Sequence, residues 1–241
     1  MTGFQAVFER HEKKYILDKR QYDDLADFLQ RYMEGDAYGL HTVSSLYFDT
    51  DSYSIIRASN EKPMYKEKLR LRSYGTPSAE DTVFLELKKK FEGIVYKRRI
   101  PLGLQNAERY LRAGIRPRDT GQIFEEIDWF VKRHHPQPKA MLCCDRLALC
   151  GKDNPAFRVT FDFKIRWRDY DLRLSRGSGG APLLAPGLCL MEIKTDGSIP
   201  LWLGRYLSQN GIYPTSFSKY GMCYKDNLIA KKETGGMGHV G

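Results

Sequence analysis

Charged side chains alternate with other residues along several segments of this chain, and the longest such row covers positions 66–72. Its cations are Lys66, Lys68, Arg70 and Arg72, with Glu67, Leu69 and Leu71 between them. Successive side chains of a β-strand point to opposite faces, so the four cations would share one face of a strand. Shorter rows recur at Arg10/Glu12/Lys14, Glu86/Lys88/Lys90, Lys97/Arg99, Arg158/Thr160/Asp162 and Glu192/Lys194. Charged rows on several strands whose other faces are largely apolar predict a sheet curled around a polar lumen.

The cationic rows predict a polyanionic ligand. Clustered cations repel one another unless an anion lies among them. Arginine binds two phosphate oxygens with its planar guanidinium and lysine acts as a point charge, so the mixture suits a chain of phosphates. The whole chain has 39 Lys and Arg against 30 Asp and Glu, a net charge of +9. This excess favours nucleic acid, anionic lipid or phosphorylated small molecules without choosing among them. A solvated strand face explains an isolated row equally well, and it is the recurrence of the rows that favours the lumen.

The carboxylates within these rows allow two interpretations. Glu86 and Glu192 each stand two residues before a lysine, and in one interpretation they only form cross-strand ion pairs. In the other they bind Mg²⁺ or Mn²⁺, which typically takes one or two carboxylates together with substrate phosphates. Glu192 is the favoured metal ligand, ahead of Glu12 and Glu86. Asp49 is interpreted as a turn or capping residue.

The pattern of strands and helices predicts the architecture. Strands are predicted near 8–17, 42–49, 64–74, 82–90, 94–102, 139–149, 157–168 and 188–194, and helices near 18–33, 106–113, 121–134 and 201–210. Short turns between most strands favour antiparallel pairing. About eight strands close a barrel that holds side chains and one small ligand. We therefore predict an α+β fold, a closed antiparallel β-barrel (tunnel) of about eight strands with helices packed outside.

Length and motif content restrict the remaining choices. The chain of 241 residues is predicted to form one domain over residues 1–231, followed by a disordered glycine-rich tail at 232–241. Five cysteines without a C-x-x-C pair are typical of buried reduced thiols in a cytoplasmic protein. No apolar run approaches the ~18 residues of a membrane span, so a cytoplasmic location without a transmembrane segment is expected. No P-loop, G-x-S-x-G or dinucleotide motif is present, which leaves side chains to hold the phosphates.

The ordered set of motifs resembles a known family. The motifs are Arg10-His11-Glu12-Lys13-Lys14-Tyr15, Ser45-Leu46-Tyr47-Phe48-Asp49-Thr50, Lys68-Leu69-Arg70-Leu71-Arg72, Leu85-Glu86-Leu87-Lys88, Tyr96-Lys97-Arg98-Arg99, Asp145-Arg146, Arg158-Val159-Thr160-Phe161-Asp162, Glu192-Ile193-Lys194 and Phe217-Ser218-Lys219-Tyr220. Their order and spacing, from about residue 4 to about residue 225, resemble the VTC domain. This is the polyphosphate-polymerase branch of the triphosphate tunnel metalloenzymes (the CYTH-like superfamily). Arg10 stands where the wider superfamily has the first glutamate of an E-x-E-x-K opening.

The resemblance implies a tunnel that takes ATP and a divalent metal, Mn²⁺ or Mg²⁺, and moves the γ-phosphate of ATP onto a growing inorganic polyphosphate chain. The residues that we assign to catalysis are Arg70, Arg72, Lys88, Arg146, Arg158 and Lys219. Those that we assign to phosphate binding are Lys14, Lys68, Lys97, Arg99, Lys194 and Ser218. Glu192 is expected to hold the metal, with Glu12 and Glu86 as further candidates.

Two other functions stay open at this point. Attack by water would make the same tunnel an inorganic or nucleoside triphosphatase, although Arg10 favours a long anionic acceptor over water. A module that binds polyphosphate or nucleic acid without turnover would need the charge for affinity alone. Exposed aromatics interleaved with the cations, typical of single-strand binders, are not evident in the charged rows, so no nucleic-acid partner is expected. The expected partners are ATP and polyphosphate, and a membrane protein acting in trans is left open.

Overall fold

The computed structural model describes residues 11–61, 63–92, 94–118 and 121–229, and within these the chain forms ten strands and six α-helices. The strands are β1 (His11–Leu17), β2 (Met33–Gly35), β3 (His41–Asp49), β4 (Tyr65–Tyr74), β5 (Thr82–Phe91), β6 (Ile94–Gly103), β7 (Gln137–Gly151), β8 (Arg158–Arg168), β9 (Ala181–Pro182) and β10 (Cys189–Thr195). The helices are α1 (Lys19–Leu29), α2 (Ser54–Asn60), α3 (Leu104–Ala113), α4 (Gln122–His134), α5 (Leu201–Gln209) and α6 (Lys219–Cys223), which continues as a π-helical turn, Tyr224–Leu228. The predicted role of Arg10 and the predicted tail at 232–241 lie outside the described residues.

One antiparallel sheet organises the fold. Its strands follow the order β1-β10-β8-β7-β3-β4-β5-β6, while β2 pairs with β7 and β9 pairs with β8. The α+β class with a large antiparallel sheet is therefore confirmed. Among the described residues no backbone ladder joins β1 to β6, so closure of the sheet into a barrel is not confirmed. The sheet is nevertheless strongly curled, because Nζ of Lys88 on β5 lies 3.2 Å from a carboxylate oxygen of Glu12 on β1.

Helices cover the outer face of the curled sheet in two groups. Leu69 and Leu71, which alternate with the cations of β4, are buried with Phe124, Ile127 and Phe130 of α4. Burying each such side chain contributes roughly 1.5–3 kcal/mol. The apolar half of the alternating pattern thus lies outside, under α3 and α4, and the charged half is turned to the opposite face. The prediction that α4 packs on the outer wall is confirmed.

A second apolar core lies under α1 and α5, on the outer face of β1, β8 and β10. Leu25 and Leu29 of α1 pack there with Leu203 and Leu207 of α5. Asp18 caps α1, and Gln21 completes a capping box with it. The sequence pattern predicted that this helix would extend to about residue 33. It ends at Leu29, because the chain turns to place β2 beside β7.

The inner face of the sheet carries α6 beside the charged residues. Tyr220 of α6 stacks on Tyr47 of β3 with ring centroids 4.7 Å apart. The Tyr220 hydroxyl donates to Asp49, which also accepts backbone N–H groups at the start of α2. The interpretation of Asp49 as a capping residue is confirmed, and the C-terminal helix is anchored inside the curl of the sheet.

Two further findings concern the cysteines and the search for membrane-spanning helices. All five cysteines are free, and four of them are buried. Across the described ranges, no helix is both long enough and apolar enough to traverse a lipid bilayer.

Candidate active site

A buried glutamate gathers the first group of inward-facing cations. Glu86 on β5 lies directly between Arg70 of β4 and Arg99 of β6 in the strand register, and it is fully buried. Arg70 donates to it at 2.7 Å, the Lys97 ammonium lies 2.7 Å away, Arg99 forms a close ion pair with it, and Arg72 is 4.0 Å distant. Burial alone would raise the pKa of Glu86, but these cations hold it well below its usual range. Glu86 is therefore an ionised counter-charge that orders four cations.

A second group of cations surrounds Asp162 on β8. Arg146 of β7 donates two hydrogen bonds to this carboxylate, at 2.6 and 2.7 Å. Lys219, the first residue of α6, lies 2.5 Å from Asp162 and 3.3 Å from Glu192. Burial opposes ionisation of Asp162, yet Lys219 and Arg146 keep its pKa below the ordinary value. Asp162 was not among the predicted site residues, although its place in the row that begins at Arg158 was visible in the sequence.

The third group joins β1 to β10. Glu192 lies opposite Lys14 in the strand register, and Glu12 lies opposite Lys194. The Lys14 ammonium bridges the two carboxylates, at 3.1 Å from Glu12 and 3.6 Å from Glu192. Burial tends to raise the pKa of Glu12, but Lys88 and the neighbouring lysines outweigh it and lower the pKa. Because both carboxylates are ionised and close together, they repel each other and favour a cation between or beside them.

Positive charge exceeds negative charge across these three groups. Four carboxylates, Glu12, Glu86, Asp162 and Glu192, face ten basic side chains, so basic groups outnumber carboxylates by six when all ten are protonated. The ten cations are Lys14, Lys68, Arg70, Arg72, Lys88, Lys97, Arg99, Arg146, Lys194 and Lys219. Such an excess on one partly buried surface favours the binding of a multiply charged anion.

Lys68 is the cation of this surface that is least compensated. Its ammonium donates to the Ser218 hydroxyl at 2.8 Å, and within the described part of the chain it forms no ion pair with a carboxylate. Burial, and then the nearby Lys88 and Lys14, lower the pKa of Lys68 to about 7. Burial also lowers the pKa of Lys97 to about 7. Its contact with Glu86 acts in the opposite direction, but the neighbouring arginines offset that effect. A bound anion would stabilise the protonated form of both lysines and raise their pKa values again.

Ser218 has a structural role in addition to its predicted one. Its hydroxyl accepts the Gly221 N–H at 3.1 Å and so caps the N-terminus of α6. Lys14 donates to the Phe217 carbonyl at 3.0 Å. Three consecutive residues at the start of α6 therefore contact the cationic surface, and α6 is coupled to whatever that surface binds.

Arg158 lies apart from these groups, at the edge of the inner face. It is opposite Lys194 in the strand register, but its guanidinium forms an ion pair with Asp36 at 3.0 Å and its side chain is 40% exposed. The structure thus brings Arg72, Lys88 and Lys219 to the inner surface and places Arg158 at its margin. A catalytic role for Arg158 stays a prediction.

The residues present fit a divalent cation only if phosphate completes its coordination. No group of three or more His, Cys, Asp or Glu within the described ranges could hold a metal ion by itself. Glu12 and Glu192 offer two adjacent ionised carboxylates. Two carboxylates with substrate phosphates are a typical Mg²⁺ ligand set. Glu86 and Glu192 each lie within 4.0 Å of four cations. Glu192 shares Lys14 with a second carboxylate, Glu12, whereas among the described residues Glu86 shares none of its cations with another carboxylate, so the Glu12–Glu192 pair is better suited to a metal.

Thr160 adds an uncharged oxygen next to the Glu12–Glu192 pair. It lies opposite Glu192 in the strand register, and its side-chain oxygen is buried without a hydrogen-bond partner among the described residues. Buried polar atoms are nearly always satisfied in native proteins. An unsatisfied hydroxyl beside Glu192 therefore indicates a place for a ligand oxygen or a cation.

The chain thus forms a curled antiparallel sheet with α1, α3, α4 and α5 on its outer face and with α6 beside the cations on its inner face, so the prediction that the helices pack outside does not hold for α6. The VTC domain family matches residues 9–226, so the chain belongs to the VTC domain family. No curated protein sequence matches the chain.

Solved structures share the fold at low sequence identity. A candidate adenylate cyclase from Bacillus halodurans is similar with a TM-score of 0.59 and 14% identity, over 89% of this chain and 96% of that one. HpAC1 from Hippeastrum, a candidate adenylyl cyclase described as having a dominant triphosphatase activity, is similar with a TM-score of 0.52 and 16% identity, over 88% and 93%. The likeness to both structures concerns the fold.

Proposed function

We propose that this protein is a polyphosphate polymerase that transfers the γ-phosphate of ATP to a growing inorganic polyphosphate chain. The observation that carries the proposal is the excess of six basic side chains over carboxylates on the inner face, which a single phosphate would compensate less well than a polyphosphate chain would. Membership of the VTC domain family supports the same activity. ATP and polyphosphate are the proposed substrates.

In the proposed reaction the protein supplies position and charge, and no side-chain nucleophile is needed. A terminal oxygen of the acceptor chain attacks the γ-phosphorus, the new P–O–P bond forms, and the bond to the β-phosphate oxygen breaks to release ADP. Arg70 and Arg72, already oriented by Glu86 and Ser45, stabilise charge on the transferred phosphoryl oxygens. A divalent ion held by Glu192 and Glu12 would add Lewis-acid stabilisation of the same charge.

We also propose that side chains complete the tunnel wall where the backbone ladder stops. The contact between Lys88 on β5 and Glu12 on β1 supports this, because it spans the gap on the inner side. A polyphosphate chain in the tunnel would then contact side chains from both the β1 side and the β5 side along its length.

The activity is tested with purified protein, ATP and Mn²⁺ or Mg²⁺. Long polymer resolved on a polyacrylamide gel, formed together with ADP, is the expected result. Free phosphate without polymer would identify a triphosphatase instead, as described for HpAC1. Salt-sensitive polyphosphate binding without any ATP turnover would identify a binding module.

The Glu192→Gln variant tests the proposed metal site. The substitution removes the charge but keeps the size, so the metal concentration needed for half-maximal activity should rise about tenfold or more. Direct Mn²⁺ binding in the presence of tripolyphosphate, followed by electron paramagnetic resonance, should weaken similarly. Glu34→Gln, an exposed glutamate on β2, is the matched control. An unchanged metal titration in Glu192→Gln would remove this residue from the site.

Tripolyphosphate affinity should decrease between about pH 7 and about pH 9. Lys68 and Lys97, whose pKa values are lowered to about 7, are about half protonated at the lower pH and almost entirely neutral at the higher one. Losing a charged contact costs about tenfold in affinity. The Lys68→Arg variant keeps its charge throughout this range and should show a smaller decrease. Calorimetric titrations at several pH values measure the slope, and equal slopes in both proteins would exclude Lys68 from anion binding.

A further inference from the structure

We propose that the edge of the inner face formed by Tyr38, His41, Tyr74 and Phe84, here called the aromatic rim, binds the base of a nucleoside triphosphate. This inference rests on the proposed function, because it takes the inner-face cations as the triphosphate site. It adds a second recognition element, which would distinguish ATP from inorganic polyphosphate.

On β4 and β5 the inward-facing rows change from charged to aromatic side chains at the same end, and on the neighbouring β3 the inward-facing row also ends there in a ring. On β4 the row Arg70, Arg72 ends at Tyr74, and on β5 the row Lys88, Glu86 ends at Phe84. On β3 the row runs from Tyr47 through Ser45 and Val43 to His41. Arg72 lies opposite Phe84 and Val43 lies opposite Tyr74 in the strand register. The rings are therefore the continuation of the cationic surface toward the solvent.

The four rings form a continuous series. Ring centroids are 6.1 Å apart for Tyr38 and His41, 5.7 Å for His41 and Tyr74, and 5.8 Å for Tyr74 and Phe84. All three pairs are edge-to-face, so no two neighbouring rings of the series stack on each other. Tyr38 is 78% exposed and Tyr74 is 48% exposed. Large aromatic surface is thus offered to solvent beside the charged site.

Arg99 connects the aromatic rim to the phosphate-binding cations. Its guanidinium lies 4.4 Å from the centroid of the Phe84 ring and donates to the Tyr74 hydroxyl at 3.2 Å, while its other contacts are with Glu86. Burial opposes ionisation of the Tyr74 hydroxyl, but Arg72 and Arg99 lower its pKa. A ligand whose phosphates contact Arg72 and Arg99 would place a covalently attached ring at Tyr74 and Tyr38.

A nucleoside is the occupant that fits this combination of groups. Base–aromatic stacking contributes to affinity for every nucleobase, because each has a π-face. An inorganic phosphate chain has no group that stacks. A run of single-stranded nucleic acid would need several parallel stacking platforms along a basic groove, whereas these rings form one short edge-to-face series at a single end.

The test compares ATP with inorganic tripolyphosphate as ligands of the full chain, by calorimetry without divalent metal so that neither is consumed. The wild-type protein should bind ATP at least as tightly as tripolyphosphate. Tyr38→Ala should weaken ATP binding about tenfold and leave tripolyphosphate binding within about twofold. Tyr74→Leu also removes the hydrogen bond that Arg99 donates to the Tyr74 hydroxyl, so it should weaken the binding of both ligands, and that of ATP by the larger factor. Tyr213→Ala removes an equally exposed tyrosine (71%) outside the rim and serves as the matched control.

Each other outcome overturns the inference in a distinguishable way. If Tyr38→Ala and Tyr74→Leu change neither affinity, or change both equally, the rim does not bind the base, while the proposed triphosphate site stands. If the wild-type protein binds neither ligand, the proposed function fails as well. If a short oligonucleotide without a triphosphate binds as tightly as ATP and loses the same factor in Tyr38→Ala, the rim binds nucleic acid. Unchanged thermal unfolding of each variant ensures that the comparison concerns folded protein.

Discussion

The Arg70→Ala, Arg72→Ala double variant is expected to lose at least about a thousandfold in the rate of ATP turnover while remaining folded. Removing one group that stabilises developing charge in a transition state typically costs ~10²–10³-fold. Two adjacent guanidiniums from the same inner row are removed here. The fold should persist because Glu86 retains its ion pairs with Lys97 and Arg99.

A matched control exists on the outer face of the same hairpin region. Lys89 and Arg98 contact Glu126 of α4 from β5 and β6, so Lys89→Ala, Arg98→Ala removes the same charge from the opposite side of the sheet. Its activity should stay within about twofold of wild type, since long-range effects of screened charges are small. Turnover, tripolyphosphate affinity and thermal unfolding are measured for both double variants. Equal activity losses in the two would mean that net charge, and not the inner row, is responsible.

Local alternation predicted which side chains share a face. The period of two in segment 66–72 correctly separated Lys68, Arg70 and Arg72 from Leu69 and Leu71, because an apolar outer face fixes the strand register. The helix signals were equally reliable where a cap was present, as at Asp18. The short strand β2 was missed, since three residues carry too little periodicity to predict a strand.

Contacts between distant strands could not be predicted in the same way. The sequence did not reveal that Glu86 would collect four cations, or that Asp162 would join Arg146 to Lys219, because those pairings depend on how the sheet curls. The closed barrel was an extrapolation from strand number, and the hydrogen-bonded ladder of the described residues leaves it unconfirmed. The aromatic rim was not predicted, because its rings lie at the ends of the charged rows and do not alternate with the charged residues.

Glu86→Gln is expected to destabilise the protein by about 3–5 kcal/mol, because it leaves buried cations without their counter-charge. The pKa of Glu86 is well below that of an unfolded glutamate. Its stabilising effect is therefore fully present above the unfolded pKa of about 4.3 and is lost as the pH falls through the lower folded value. Urea unfolding should show the full difference near neutral pH, and the two stability curves should converge in acid.

The same variant distinguishes a binding surface from a purely structural ion-pair network. Tripolyphosphate at one fixed concentration, about one hundred times its Kd for the wild-type protein, should stabilise the wild type by roughly 2.7 kcal/mol. It should stabilise Glu86→Gln by more, since the anion replaces the missing negative charge among Arg70, Arg72 and Arg99. Glu126→Gln, which breaks the outer pairs with Lys89 and Arg98, should lose less stability and gain no extra stabilisation from the anion relative to wild type. Equal stabilisation of the two variants by tripolyphosphate would contradict the assignment of these cations to the anion site, because Glu126→Gln leaves its uncompensated charge on the outer face, away from the inner cluster.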